Sequence, residues 1–270
     1  MNTDLVTYLF NQLRQMPICD PHTHVRYDQP VARHLGDLLG YHYYTELANS
    51  SRGRPEPLPE DPAARIGYVW PHLPALRGTM QLDWMMSISE SFLGIPRGEW
   101  WSKPEEEIVA RAQQAIAAPD YARNVFERSR IRKVYLTNQF DEDLAGLSDD
   151  RLVPCLRSDD LVFNLDANKT IKRLDAATKV KSGESLKSFE KALSRIFDRF
   201  ASWKMGYAAL GLPPSFRCEE VGAKTAERLL KKWARGEKLD EEARATWARF
   251  MVDRIAAQCA RGKAPFVLMT

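Results

Sequence analysis

The sequence predicts an α/β fold built on a parallel sheet. Five short apolar runs, each about the length of a strand, are spaced along the 270 residues, and segments with helical periodicity separate most of them. Strands that alternate with helices pair in parallel, because each helix carries the chain back to the start of the next strand. A long segment, about residues 26–130, interrupts this alternation after the first run, and its sequence predicts a mostly helical insertion.

The elements around the insertion follow from local patterns. Apolar residues at helical spacing predict a helix over Asp4–Gln15, which Pro17 ends. The first strand is expected within residues 17–25, apolar at its start and polar at its end. Inside the insertion we expect a loop over Arg52–Pro62 and helices over Glu105–Ala117 and Tyr121–Ser129.

After the insertion, the alternation of strands and helices is regular. The four further strands are expected within residues 133–138, 151–157, 204–210 and 265–270. The helices expected between them cover residues 186–203, 223–234 and 241–261.

The charge and hydropathy patterns exclude two classes of partner. The net charge of +3 is spread along the chain without a block of five or six like charges, so we expect no nucleic-acid partner. No apolar stretch approaches the ~20 residues that cross a bilayer. The N-terminus also lacks the basic and apolar regions of a signal peptide. We therefore expect a cytoplasmic protein without a membrane partner.

The four cysteines lie far apart and form no CxxC pair, which predicts neither a zinc ribbon nor a disulfide scaffold. Cys19 and Cys155 lie in apolar runs, so we expect both to be buried free thiols.

His22 and His24 stand where the first strand ends. Residues i and i+2 of a strand point to the same side, so two imidazoles at this spacing can bind one ion. The carboxyl end of a strand is also the active-site end in a barrel. Imidazole suits zinc and other late first-row metals. The alternative is two ordinary histidines near a turn.

The segment Pro17–His24, PICDPHTH, resembles the first strand of the amidohydrolase superfamily. More narrowly, it is similar to that of the uronate isomerase family, whose members carry Asp-x-His-x-His after a similar N-terminal helix. Leu38–Tyr43 is similar to the segment that holds the family's active-site tyrosine, which maps to Tyr43. Lys133–Asn138 is similar to the family's second strand. Val153–Asp159 is similar to its third strand, where an arginine is typical and maps to Arg157.

The resemblance implies a partial TIM (β/α)8-type barrel with about five of eight strands, as a single incomplete domain over residues 1–270. It implies a divalent metal, with zinc as the expected ion, bound by His22 and His24. Arg157 would bind the carboxylate of a small sugar acid, and Tyr43 would assist proton transfer. The implied reaction is the aldose–ketose isomerisation of a hexuronate, of the D-glucuronate to D-fructuronate type. Assembly into a homo-oligomer is left open.

The chain departs from the family pattern at several positions. Thr137-Asn138-Gln139 replaces a Thr-Asp-Asp-Pro run, and Met269 stands where the family has a histidine on its fifth strand. Trp84–Ser87 lacks a His-Leu-Glu pattern. The superfamily's metal-binding aspartate after the eighth strand has no counterpart, so we expect a truncated product or a fragment. The alternatives are a metal-dependent hydrolase of the same superfamily and a non-catalytic remnant.

Three expectations about the site follow. His22 and His24 should share one pocket, and Arg157 and Tyr43 should converge on the same mouth. For Tyr43 the alternative is core packing with Tyr41 and Tyr44, and for Arg157 it is a surface salt bridge. The chain by itself should lack isomerase activity, bind zinc weakly, and expose an apolar face that favours association.

Overall fold

The computed structural model describes residues 3–52, 57–165 and 168–269. Contacts between residues divide the chain into two compact units. The first unit comprises Met1–Ile18 and Gln29–Ile131, and the second comprises Cys19–Asp28 and Arg132–Thr270. The segment Gln29–Ile131 lies close to the bounds expected for the insertion. The single incomplete domain over residues 1–270 stays a prediction.

The first unit is mainly helical in its described part. Its helices are α1 (Thr3–Gln15), α2 (Leu35–Leu39), α3 (His42–Arg52), α4 (Pro62–Val69), α5 (Met80–Ile88), α6 (Glu99–Ser102), α7 (Glu105–Ile116) and α8 (Tyr121–Arg128). A 3-10 segment covers Trp70–Leu76 and a π-helical turn covers Ser89–Leu93. The expected helices over 4–15, 105–117 and 121–129 are confirmed to within one residue at each end. Residues 53–56 of the expected loop lie outside the described ranges.

The apolar core of the first unit contains a short chain of buried hydrogen bonds. Trp70 stacks on Trp100 with ring centroids 5.2 Å apart. The Trp100 indole N–H donates to the Ser89 hydroxyl at 2.7 Å, and that hydroxyl donates to the Ile95 carbonyl at 2.9 Å. The polar atoms inside this core are therefore satisfied, as burial requires.

The second unit is an α/β structure with parallel strands, which confirms the expected fold class. The strands are β1 (Ile18–Thr23), β2 (Ile131–Leu136), β3 (Asn138–Gln139), β4 (Leu152–Val153), β5 (Cys155–Arg157), β6 (Tyr207–Gly211) and β7 (Phe266–Met269). The helices are α9 (Asp159–Phe163), α10 (Asn168–Thr178), α11 (Leu186–Ser202), α12 (Ala223–Ala234) and α13 (Glu241–Gly262).

The seven strands correspond to the five predicted runs, two of which are interrupted. Pro154 separates β4 from β5, because proline has no backbone N–H for the ladder. Thr137 separates β2 from β3. Hydrogen bonding divides the strands into two sheets, with orders β1-β2-β4 and β3-β5-β6-β7. Successive runs are therefore neighbours, and the pairs β2–β4, β3–β5, β5–β6 and β6–β7 are parallel.

The strands place alternate residues on two faces. Leu156, Ala208 and Leu210 face a core that also contains Phe189 of α11 and Trp247 of α13. Their neighbours along the strands form a second cluster on the opposite face. Its members are Cys155, Tyr207 and Ala209, with Tyr135, Val267 and Met269 packed against them. The period of two in the strands accounts for this separation.

The sheet is strongly curved. The Tyr207 hydroxyl donates to the Pro21 carbonyl at 2.7 Å, although the run that holds Tyr207 is three strand spacings away from β1. In a flat sheet that separation would be about 14 Å, farther than a tyrosine side chain reaches. The Tyr135 and Tyr207 rings also stack, with centroids 5.7 Å apart. Curvature therefore brings the first and fourth runs together across the face that carries these tyrosines.

The expectation that Cys19 is buried is wrong. Cys155 is buried, but Cys19 is exposed, because β1 is the edge strand of its described sheet, where fewer residues can pack around a side chain. None of the described helices combines the length and the apolar composition needed to cross a bilayer.

Candidate metal and substrate site

His22 and His24 lie side by side at the carboxyl end of β1. Both side chains are exposed, and their ring centroids are 5.1 Å apart in an edge-to-face arrangement. The backbone N–H of His22 donates to a side-chain oxygen of Asp20 at 3.2 Å, which shapes the end of the strand. The spacing of two residues therefore brings the two imidazoles together, as strand geometry requires.

Thr137 joins this pair from the neighbouring run. Its hydroxyl lies 2.7 Å from the Thr23 carbonyl oxygen and 3.1 Å from Nδ1 of His24. At the other end of the same strands, the Ile18 N–H donates to the Arg130 carbonyl at 2.8 Å. The start of β1 therefore lies beside the start of β2, and its end beside the end of β2. The two strands run parallel, and the histidines stand at the carboxyl edge of the sheet.

The donor pair fits part of a metal site. For an ion bound tetrahedrally by two imidazole nitrogens at about 2.0–2.1 Å, the ring centroids would lie about 5 Å apart. The observed 5.1 Å matches that spacing. Catalytic zinc has three protein ligands. Within residues 3–52, 57–165 and 168–269, no group of three or more His, Cys, Asp or Glu side chains is arranged to bind an ion. The metal role of the pair stays a prediction.

Arg157 is the last residue of β5 and lies at the same carboxyl edge. It is in register with Gln139 of β3 on one side and with Ala209 of β6 on the other. Its Nε donates to Asp159 at 3.2 Å, in an ion pair whose arginine side chain is 38% exposed. The other Asp159 oxygen accepts from the Gly211 N–H at 3.4 Å. Asp159 thus holds the Arg157 guanidinium next to the end of β6. The role of Arg157 in substrate binding stays a prediction.

Tyr43 lies on α3 of the first unit. Its side chain is 42% exposed and packs edge to face against Tyr41, with ring centroids 5.2 Å apart. Tyr44, at 6% exposure, is the tyrosine that enters the core, and burial raises the pKa of its hydroxyl. Core packing therefore belongs to Tyr44. Both the catalytic role of Tyr43 and its convergence with Arg157 stay predictions.

The other histidines with described side chains have local structural partners. Nδ1 of His34 accepts from the Gly36 N–H at 3.0 Å and caps α2. Nδ1 of His72 lies 2.6 Å from the Ser51 hydroxyl. These contacts give His34 and His72 local structural roles. The side chain of His42 lies outside the described part.

Two residues that build the site were not among those predicted from the sequence. Thr137 appeared only as a departure from a family motif, and Tyr207 only as part of an apolar run. Each acts on β1 through a hydroxyl, over sequence separations of 114 and 186 residues. A single sequence contains no signal for contacts at such separations. The one available hint was a polar hydroxyl in an otherwise apolar strand.

The second unit combines parallel strands, helices on one face and polar side chains at the carboxyl edge, which defines a parallel α/β fold. No protein-family model matches the chain, and no curated protein matches it. Several solved structures do match.

Three of these structures are uronate isomerases. The uronate isomerase of Thermotoga maritima has a TM-score of 0.74 and 16% identity, and the match covers 97% of this chain and 61% of that one. The glucuronate isomerase of Caulobacter crescentus has a TM-score of 0.75 and 18% identity, and the match covers 94% of this chain and 58% of that one. The uronate isomerase of Bacillus halodurans has a TM-score of 0.69 and 18% identity, and the match covers 99% of this chain and 60% of that one. At this identity the likeness shows a shared fold. The chain spans about three fifths of the length of these enzymes.

Proposed function

We propose that the chain carries the front part of a hexuronate isomerase, as about five strands of a (β/α)8 barrel. The supporting observation is the His22–His24 pair at the carboxyl end of the first strand, in a fold shared with uronate isomerases. The active sites of such barrels lie at the carboxyl ends of the strands. The proposed substrate is a small sugar acid, converted from an aldose to a ketose.

In this proposal each site residue has a separate task. Arg157 binds the substrate carboxylate, because a guanidinium can donate two parallel hydrogen bonds to a carboxylate. Asp159 fixes the guanidinium through Nε, which leaves its terminal nitrogens to face the substrate. Tyr43 assists the movement of a proton between C2 and C1 by way of an enediol. His22 and His24 would hold a divalent metal, with zinc as the expected ion, and a metal would orient and polarise the sugar's oxygens.

Two other functions remain as alternatives. A metal-dependent hydrolase would use the same histidine pair to activate water. A non-catalytic chain would bind metal weakly or not at all, and the arrangement of only two nitrogen donors in the described residues favours weak binding.

Exchange of the substrate C2 proton tests the isomerase directly. The chain, and any longer product of its gene, is incubated with D-glucuronate and zinc in deuterated water. NMR then follows deuterium at C2 and formation of the ketose. We expect exchange from a product with all eight strands, and none from residues 1–270. Hydrolysis of amide or ester substrates without C2 exchange would favour the hydrolase.

Variants assign the roles. In an active product with all eight strands, Arg157→Met should raise KM about 10–100-fold through loss of charge-assisted hydrogen bonds. His24→Gln should abolish zinc binding at the pair, whereas the matched control His72→Gln should not change it. Unchanged KM in the arginine variant, or unchanged zinc binding in His24→Gln, would contradict the assignment.

A further inference from the structure

The hydroxyl of Thr137 makes two contacts that constrain each other. It lies 2.7 Å from the Thr23 carbonyl oxygen and 3.1 Å from His24 Nδ1. A threonine hydroxyl has one proton to donate and two lone pairs that accept. The carbonyl oxygen can only accept, so the single proton of Thr137 goes to Thr23. The shorter of the two distances agrees with this assignment.

The contact with His24 must then run in the opposite direction. Since the Thr137 proton points to Thr23, the hydroxyl can meet Nδ1 only as an acceptor, and Nδ1 must carry a proton. In a neutral imidazole one nitrogen is protonated and the other has a free lone pair. The lone pair of His24 therefore lies on Nε2.

We propose that Thr137 is a positioning residue that sets the tautomer of His24 and makes Nε2 the atom that binds metal. This inference rests on the proposed function, since it concerns the same histidine pair. Hydrogen bonds to the second nitrogen of a metal-binding histidine usually orient the ring and fix its tautomer. Here that hydrogen-bond partner is Thr137, which follows β2, and its hydroxyl is also bonded to Thr23 at the end of β1.

The contact also supplies rigidity that β1 lacks. His24 is exposed and follows the last residue of an edge strand, so the hydrogen bond to Thr137 adds a restraint on its ring. The bond to Thr137 ties the imidazole to the adjacent run. Without it, the ring loses the hydrogen bond that fixes the proton on Nδ1. Loss of such an outer partner typically weakens metal binding by about 10–100-fold.

Long-range proton–nitrogen NMR correlation of the 15N-labelled chain measures the tautomer directly, with His24→Gln used to assign the signal. The spectrum is recorded at about pH 8.5, above the usual titration range of histidine. We expect the Nδ1–H tautomer for His24 in the wild type and in Thr137→Ser. Thr137→Val, which keeps the shape but loses the hydroxyl, should shift His24 toward Nε2–H. A remote control, Thr246→Val on α13, should leave the signal unchanged.

Zinc titration of the same variants gives the second measurement. Thr137→Val should lose about 10–100-fold in affinity, and Thr137→Ser should stay within about threefold of the wild type. Circular dichroism and a thermal melt check that the valine variant is folded. An Nε2–H tautomer in the wild type would overturn the inference. Where zinc binds through the histidine pair, equal zinc affinity of the wild type and Thr137→Val would overturn it as well.

The experiment separates this inference from the proposed function. If the tautomer responds to Thr137 as expected but zinc shifts neither histidine signal, the metal site is refuted and the positioning of His24 is supported. If zinc binds through both histidines while the tautomer ignores Thr137, the metal site stands and the positioning role is refuted.

Discussion

Replacement of Tyr207 by phenylalanine tests how the curved sheet holds β1 in place. Tyr207 is 7% exposed, and its hydroxyl donates to the Pro21 carbonyl at 2.7 Å. Its ring stacks on Tyr135. Tyr207→Phe removes the hydroxyl and keeps the ring, so the change isolates one hydrogen bond between the first and fourth runs.

The size of the effect follows from the surroundings of the two atoms. A hydrogen bond between neutral groups contributes a net ~0.5–1.5 kcal/mol to the free energy of unfolding. Pro21 is exposed, so water can replace the lost donor at its carbonyl. We therefore expect a loss of about 1 kcal/mol rather than the larger cost of a stranded buried acceptor. Tyr207→Leu also removes the stacking and should lose a further ~0.5–1.5 kcal/mol.

Urea unfolding followed by circular dichroism measures this loss. With a slope of about 1–3 kcal/mol/M, a change of 1 kcal/mol moves the midpoint by about 0.3–1 M. Tyr8→Phe on the exposed face of α1 is the matched control and should change stability by less than about 0.5 kcal/mol. Equal midpoints for Tyr207→Phe and Tyr8→Phe would show that the bond to Pro21 contributes nothing. Zinc affinity should fall in Tyr207→Phe as well, because β1 carries the histidine pair.

Three further predictions concern the second unit and α1. Burial raises the pKa of Cys155 from 9.0 to about 12, so the unfolded thiol loses its proton first and stability should fall as the pH rises from 9 to 12. Gly206→Ala should cost about 1–3 kcal/mol, measured by urea unfolding, because its added carbon would lie 2.7 Å from the Tyr135 ring. Phe10, 61% exposed on an apolar helix, should promote association, and light scattering should show less of it in Phe10→Glu.

Each of these predictions has a result that would contradict it. Cys155→Ala should reduce the alkaline slope without abolishing it, because burial also raises the pKa of Cys259. An unchanged slope would contradict the role of Cys155. Wild-type stability in Gly206→Ala would mean that the Tyr135 ring can move away. If Phe10→Glu associates as strongly as the wild type, then the Phe10 side of α1 is not the surface through which the chains associate.

Local patterns were sufficient for most element boundaries. The helix expected over residues 223–234 is found as Ala223–Ala234, and the helix expected from residue 241 begins at Glu241. Helical periodicity and capping depend on residues within a few positions of each other, so one sequence contains them. The pairing of His22 with His24 follows in the same way from the period of two in a strand.

Other features depended on which helix face or sheet edge becomes buried. Tyr43 and Tyr44 are adjacent and chemically alike, yet Tyr44 enters the core and Tyr43 is exposed. Cys19 and Cys155 both lie in apolar strands, yet only Cys155 has neighbours on both sides of its strand. Composition cannot separate such pairs, because burial depends on what packs against each residue.

The sequence by itself determined the α/β class, the order of the strands and helices, and the histidine pair, since each follows from short-range periodicity. Only the tertiary structure decided what surrounds that pair. The curvature of the sheet brings the Tyr207 hydroxyl to Pro21, and parallel pairing brings Thr137 to His24. These contacts join residues more than 100 positions apart, and the free energy that forms them comes from packing of the whole sheet against its helices rather than from any local preference.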